Sequence, residues 1–349
     1  MTHTSPTRAA VVGVGRMGRH HARTYAAMDG VTLAGVVDAD LDRAETIVEE
    51  YGGRAYSSVD ALLDAEPDLT GVSVAVPTEH HVAAATPLLQ RGVACLVEKP
   101  LAATSAAARQ LAELAAQHHA VLQVGHTERF NPAVRAAAAL GLVPRFMEVD
   151  RVSPMTFRSL DVGVVMDMMI HDVDILLTLA RSPIVRVDAV GVSVLGDHED
   201  VCDARLTFAS GCVATLTGSR LALKTERKLR IFSEDSYVSL NYADRSGLVI
   251  QKSGNDTALD DLRSQLAAGA DLSDLDFTDL INIEELATDL PPEERDPLTA
   301  RAASFLRAAR GESPVVVTAD EGVAAIEAAE QIMRAMAEHR WEGLGSTKV

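Results

Sequence analysis

Gly13-Val14-Gly15-Arg16-Met17-Gly18 follows an apolar, strand-like run, Ala9–Gly15, and opens into a helical one, Arg19–Met28. In that setting each glycine of a Gly-x-Gly-x-x-Gly run has its own task. The first permits a tight turn, the second lets a pyrophosphate approach the backbone, and the third lets helix and strand pack closely. Amides at the helix start, carried by Arg16, Met17 and Gly18, then point at the phosphates. Asp38 ends the next strand-like run 20 residues after Gly18, where a carboxylate accepts hydrogen bonds from an adenosine ribose. With Asp40 beside it, that carboxylate repels a ribose 2′-phosphate and favours NAD over NADP; Arg43 speaks the other way.

Outward from this motif, apolar runs at Val31–Asp40, Leu69–Pro77, Ala94–Pro100 and Val121–Phe130 alternate with helical stretches that include His80–Gly92 and Ser105–His119. Buried parallel strands read as unbroken apolar runs, and right-handed crossovers supply the helices between them. The fold class is therefore α/β, with a doubly wound parallel Rossmann sheet over residues 1–130. Beyond it the pattern changes. A helix at Asp167–Ala180 precedes short strand-like runs at Val187–Leu195, Val201–Phe208, Val213–Ser219, Lys228–Phe232, Tyr237–Tyr242 and Leu248–Lys252, separated by polar turns. This predicts an α+β domain with a mostly antiparallel sheet over residues 131–349. Helices at Thr299–Ala309 and Gly322–Arg340 close the chain and are free to pack back on the first domain. The acidic stretch Asn255–Asp296 reads as solvated surface or a lid.

The 349 residues exceed what a single core usually serves, and no apolar run reaches the length of a membrane span. A net charge of −18 opposes binding of nucleic acid or an anionic lipid surface, so an anionic ligand needs a local set of donors. Three cysteines, none in a Cys-x-x-Cys pair, suit a reducing compartment, and the short polar start lacks a secretory signal, so a cytoplasmic location is expected.

Val76-Pro77-Thr78-Glu79-His80-His81 and Glu98-Lys99-Pro100 fall where strands end, on the side where open α/β sheets bind ligands. Pro77, Thr78, His81, Glu98 and Lys99 thus join the cofactor-binding candidates. In the second domain Asp167, His171 and Asp174 recur at helical spacing on one face, with Asp172 turned away from it. Those three side chains would also suit a divalent metal, or simply a cap and a satisfied helix histidine.

Gly13–Gly18, Asp38, Glu98-Lys99-Pro100 and Asp167-x-x-x-His171 together resemble the glucose–fructose oxidoreductase, inositol dehydrogenase and rhizopine catabolism (Gfo/Idh/MocA) family, over nearly the whole chain from Arg8 to about His339. The resemblance implies a Rossmann domain followed by a domain with a large open sheet. It also implies NAD-linked chemistry on sugar-like alcohols without metal, and a homodimer or homotetramer formed through that sheet. By the same resemblance Lys99 and His171 are the catalytic pair and Asp167 assists. An imidazole is well suited to take a hydroxyl proton near neutral pH, and an ammonium beside the same oxygen stabilises developing charge. The roles of Lys99 and His171 are exchangeable at this level. A non-catalytic NAD sensor with the same fold is the rival of another class.

Val124–Pro132 and Asp161–Asp167 are more particular. They resemble a subgroup that oxidises the 3-hydroxyl of UDP-N-acetylglucosamine to a 3-keto nucleotide sugar, a product that can be aminated toward lipid A; a cyclitol or free sugar is the alternative substrate. A nucleotide-sugar partner needs donors for two phosphates. Arg129, Asn131, Arg158 and Asp174 are the substrate-binding candidates, and Asn131 could equally cap a helix beginning at Pro132. The basic run Lys224–Arg230 reads more simply as a charged sheet edge.

Overall fold

The computed structural model describes residues 6–156, 162–253, 256–269, 281–288 and 290–341. The chain forms two compact units, one of Met1–Phe130 with Leu290–Gln331 and the other of Asn131–Asp289 with Ile332–Val349.

The first unit is built on β1 (Thr7–Val12), β2 (Val31–Val37), β3 (Arg54–Tyr56), β4 (Gly71–Val74), β5 (Ala94–Val97) and β6 (Leu122–Val124), in the order β3-β2-β1-β4-β5-β6. All neighbouring pairs are parallel. β4 and β5 are buried along their whole length, as strands covered on both faces must be. The strand order reverses direction between β1 and β4, which creates a crevice at the carboxyl ends of these two strands. Helix Leu41–Tyr51 starts on Asp40, whose side chain accepts from the Arg43 amide, and ends at Gly52, whose φ of +84° few other residues would adopt.

The core of this unit draws on both ends of the chain. Tyr25, Val36 and Leu96 pack with Ala302, Phe305 and Leu306 of helix Pro297–Ala309. That helix begins with Asp296 accepting from the Thr299 amide and with Pro297 in its first turn. Gly71 of β4 makes room for it, because a Cβ there would lie 2.7 Å from the Phe305 ring. Val317 extends the sheet beside β6 by accepting from the Val124 amide at 3.0 Å.

The second unit carries β7 (Phe146–Val152), β8 (Ile184–Val192), β9 (Val201–Phe208), β10 (Val213–Ser219), β11 (Glu226–Phe232), β12 (Ser236–Asn241), β13 (Ser246–Lys252) and β14 (Ile281–Glu285), in the order β14-β13-β12-β11-β7-β10-β9-β8. Only β7 with β10 is parallel; the other neighbours are antiparallel. Strict alternation of burial along β10 and β12 separates an inner face, with Met147, Leu216, Leu229 and Val238, from an outer one. Met169 packs on the inner face at Gly218, where a Cβ would come within 2.4 Å of its Cγ.

Two sequence expectations change here, those for the basic run and for the start of the helix read from Asp167, and the acidic stretch gains elements of its own. The basic run is not an edge, since β11 lies between β12 and β7 and its Arg230 meets Glu148 at 3.4 Å and Asp150 at 3.6 Å. Cross-strand charge pairing explains those cations better than edge protection. The acidic stretch contains helix Asp256–Ala267 and strand β14, and the helix read from Asp167 begins instead as a π-turn, Val165–Met169, followed by helix Ile170–Ala180.

Phe305→Ala should lower the unfolding free energy by about 3–5 kcal/mol in urea titration, since a fully buried aromatic leaves a cavity. A loss well under that range would mean that helix Pro297–Ala309 contributes little to the first unit's core.

Candidate active site

The glycine run sits at the end of β1 and is held from below. Gly13 has φ +83°, and a Cβ on it would come within 2.6–2.9 Å of Val76 after β4. A Cβ on Gly18 would fall 1.8 Å from the Gly13 carbonyl oxygen, so the helix Arg16–Ala27 can lie this close only because the residue is glycine. Gly15 differs from both. Nothing lies within 4 Å of its Cβ position, and as N-cap it brings no side chain over the helix start. Arg16 is exposed and Met17 half-buried beside it. An open cradle under a helix N-terminus is the space a pyrophosphate takes. Asp38 ends β2 with its carboxylate accepting from the Val14 amide at 2.8 Å and the Asp40 amide at 3.0 Å, and Arg43 approaches it at 3.6 Å. The donor set and the open cradle fit NAD.

Pro77 and Thr78 follow β4 in a 3₁₀ turn, Thr78–His80. His81 is buried with its ring nitrogens 2.9 Å from the Pro100 carbonyl and 3.0 Å from the Val76 carbonyl, so it ties two strand ends together. Burial lowers its pKa. Lys99 is half-buried, and the Lys99–Pro100 peptide bond is cis.

Glu98 belongs to a buried chain of polar groups. Its Oε1 accepts from Arg301 Nη2 at 2.7 Å and from His21 Nε2 at 2.7 Å, while its Oε2 accepts from the Lys99 amide at 3.3 Å. His21 Nδ1 lies 2.9 Å from Ser73 Oγ, which lies 2.6 Å from the Tyr25 hydroxyl. One proton arrangement satisfies the run from Tyr25 to Glu98, with Tyr25 donating to Ser73, Ser73 to His21 Nδ1 and His21 Nε2–H to Glu98, while Arg301 Nη2 lies 2.9 Å from the same ring nitrogen and directs its proton to the shared carboxylate. Burial lowers the His21 pKa, in keeping with the neutral ring this requires, and raises the Tyr25 hydroxyl to about 12. Burial alone would raise Glu98, but the charge of Arg301 and the His21 hydrogen bond outweigh it and hold the carboxyl far below its ordinary range.

His126, after β6, carried no role in the sequence reading. It is buried, and burial followed by the nearby charges of Lys99 and Arg129 lowers its pKa from 6.5 to about 3. The structure thus keeps a neutral imidazole within electrostatic reach of Lys99. Its place directly after a strand end was the one signal for it.

Arg129 is committed to Glu321, at 2.6 Å, and to the Val316 carbonyl, at 3.2 Å. In the second unit Asn131 caps helix Pro132–Ala139 through the Ala133 amide at 3.1 Å and donates to the Tyr242 carbonyl at 3.1 Å. Of the two readings of Asn131, the cap is the one with visible geometry. Arg158 and Asp161 lie outside the described residues.

Asp167 sits in the π-turn, half-buried; His171, also half-buried, follows on helix Ile170–Ala180, and Asp174 is buried. Asp172, on the same helix, is fully buried and grips Arg151 of β7 through both carboxylate oxygens. The start of this segment is fixed by neighbours. Glu199 accepts from the Val165 amide through Oε1 at 3.1 Å and from the Val164 amide through its carbonyl at 3.0 Å, and Arg220, paired with buried Asp200 at 2.7 Å, donates to the Val162 carbonyl at 2.8 Å. Among the described residues no group of His, Cys, Asp and Glu is placed to hold a metal ion.

Comparison with known proteins gives the same two parts. Residues 7–126 match an oxidoreductase family with an NAD-binding Rossmann fold, GFO_IDH_MocA, and residues 144–238 match the GFO/IDH/MocA C-terminal domain. The UDP-N-acetylglucosamine 3-dehydrogenase of Acidithiobacillus ferrooxidans is 37% identical over 93% of this chain and 96% of its own. Its solved structure superposes with a TM-score of 0.81 at 34% identity, covering 96% of this chain and 99% of that one. An inositol 2-dehydrogenase of Rhizobium meliloti is 30% identical over 62% of this chain and 69% of its own. GenD2 from gentamicin A biosynthesis, solved with NAD, shares the fold at 22% identity, with a TM-score of 0.76 and 97% of each chain covered.

Gly15→Val should leave the melting temperature nearly unchanged but weaken NAD at least about tenfold in calorimetry, because its side chain fills the cradle rather than the core. Wild-type NAD affinity in that variant would remove the cradle from the site. Stability should also fall with acid, because the unfolded chain takes up protons at ordinary imidazole values of 6.5 while folded His126 resists down to about 3. In urea titrations across that window His126→Gln should show a shallower loss than the wild type, and an identical slope would contradict the assignment.

Proposed function

The chain belongs to the GFO/IDH/MocA family of NAD-dependent oxidoreductases acting on CH–OH groups, and on that premise we propose that it oxidises the 3-hydroxyl of UDP-N-acetylglucosamine to a 3-keto nucleotide sugar. The observation that carries this choice is the similarity to the UDP-N-acetylglucosamine 3-dehydrogenase over almost the full length of both chains, whereas the inositol 2-dehydrogenase of Rhizobium meliloti is covered over only part of its length. A cyclitol or free sugar remains the second reading on the strength of that relative.

Oxidation of a secondary alcohol sheds a hydride and a proton. The Gly13–Gly18 cradle and Asp38 would hold NAD, which when bound would supply the hydride acceptor. His171 takes the hydroxyl proton as a neutral base, with Asp167 assisting, while the Lys99 ammonium donates to the same oxygen and stabilises its developing charge. The exchange of roles, with Lys99 as base, would require a depressed lysine pKa. Diphosphate binding falls to donors other than Arg129, whose charge is already answered by Glu321. Asp174, buried one turn after His171 on the same helix, is the fourth substrate-binding candidate.

The outer face of the second sheet supports a homo-oligomer. Val213, Phe146, Phe232, Tyr237, Ile250 and Ile283 are register partners in one row across six strands, with Phe232 5.7 Å from Phe146 and 5.0 Å from Tyr237 by ring centroids. Such an apolar row suits burial against a second copy, as a homodimer or homotetramer. Free, buried Cys95, Cys202 and Cys212 suit a reducing cytoplasm, and no described helix is long and apolar enough to cross a membrane.

With NAD and a ketone trap, NADH absorbance should rise with UDP-N-acetylglucosamine and not with myo-inositol, glucose or UDP-glucose. A rise with inositol alone would overturn the nucleotide-sugar reading. Lys99→Met and His171→Ala should each cut kcat by more than about tenfold while NAD affinity holds, as expected for groups acting on the hydroxyl. Full turnover in either would remove that residue from the chemistry.

A further inference from the structure

We infer that Arg301, contributed by helix Pro297–Ala309, is a positioning residue that holds the Lys99 turn for catalysis by clamping the ends of β5 and β6 with one buried guanidinium. The inference rests on the reading of Lys99 as a group that touches the substrate hydroxyl.

Arg301 is 1% exposed, and apart from a contact to His21 Nε2 at 2.9 Å its guanidinium bonds residues just past a strand. Its Nη1 donates to the Gly125 carbonyl and to Thr127 Oγ1, each at 2.8 Å, and its Nη2 donates to Glu98 Oε1 at 2.7 Å. Glu98 passes the restraint on, because its other oxygen accepts from the Lys99 amide. His21 holds the same carboxylate from the opposite element, helix Arg16–Ala27. Space for the clamp is built in at Gly125, where a Cβ would lie 2.9 Å from Glu98 Oε2 and 3.0 Å from Arg301 Nη1.

Stability alone is a weak reason for this arrangement. A buried ion pair is often no better than apolar residues of the same volume, whereas a fork of fixed donors sets the relative position of several acceptors at once. Lysine carries the charge but offers a single point of attachment in place of the fork. The two strand ends joined by Arg301 are those that carry Lys99 and His126, so a shift of either moves the ammonium relative to its target.

The test compares Arg301→Lys, the double variant Arg301→Met with Glu98→Gln, and Lys99→Met in the full-length protein. Readouts are melting temperature, NAD affinity by calorimetry, and kcat and KM with the alcohol that the substrate panel identifies. For Arg301→Lys the expected result is a folded chain, NAD affinity and KM within about threefold of wild type, and kcat reduced roughly tenfold or more, the signature of misplacement rather than lost binding; the double variant should fold and show the same loss of kcat at saturating NAD. The double variant leaves no buried charge unpaired, so it serves if Arg301→Lys fails to fold. Wild-type kcat in a folded variant overturns the inference. So does a parallel loss of NAD affinity in Arg301→Lys, or failure of both variants to fold, because either result makes Arg301 a support for the whole unit. If Lys99→Met keeps full turnover, the catalytic reading fails and takes the inference with it; a dead Lys99→Met beside a fully active Arg301→Lys removes the inference alone.

Discussion

The absence of a side chain at Gly18 lets the helix Arg16–Ala27 rest directly on the Gly13 carbonyl, and the first unit is arranged around that approach. With the helix that low, its N-terminus opens at the carboxyl end of β1, beside the crevice left by the reversal of strand order. His21 and Tyr25 on the same helix are brought down to Ser73 of β4 and to Glu98 after β5. A bulkier residue at position 18 would lift the helix, break this polar chain and withdraw the helix start from the cradle together. Backbone contact and polar network are thus two expressions of one packing distance.

Charge is handled in a similarly local way. The chain is strongly acidic, yet several of its arginines are spent inside: Arg301 on Glu98, Arg151 on Asp172, Arg220 on Asp200. Each pair joins two different segments of the chain, Arg301 and Glu98 lying 203 positions apart, and Glu98 and Asp172 each lie in a segment that carries site residues. Helix Ile170–Ala180 is held by Arg151, and the approach to it by Arg220 and Glu199, so the setting of His171 depends on buried ion pairs as the setting of Lys99 does. Guanidinium groups suit this use because they remain charged when buried and fix two or more acceptors at once.

The parallel sheet and its glycine cradle were legible in the sequence because their signals are local: apolar runs, a spaced set of glycines, and a carboxylate at a strand end. Residues whose role depends on a distant partner were not. Nothing near Glu98 in sequence announces its partner Arg301, and nothing near Arg129 announces Glu321, 192 positions away. The helix start was also misplaced around Asp167, since a π-turn, Val165–Met169, precedes the α-helix and adds residues to a turn in a way that apolar spacing does not signal. Asp172, read as turned off the face of Asp167, His171 and Asp174, is spent on Arg151 in the interior. β14 was hidden by the acidity of its surroundings, with three of its five residues, Asn282, Glu284 and Glu285, polar.

Because Ala302, Phe305 and Leu306 complete a core otherwise formed by the N-terminal residues, synthesis on the ribosome imposes a waiting period. The six parallel strands emerge long before helix Pro297–Ala309, and until it arrives the nascent sheet has an open apolar flank and a buried carboxylate, Glu98, lacking its principal counter-charge. The second unit's sheet is translated during that interval. The Rossmann core is therefore completed only after the second sheet's strands have been made, and the Glu98 end of β5 gains its counter-charge at that same point.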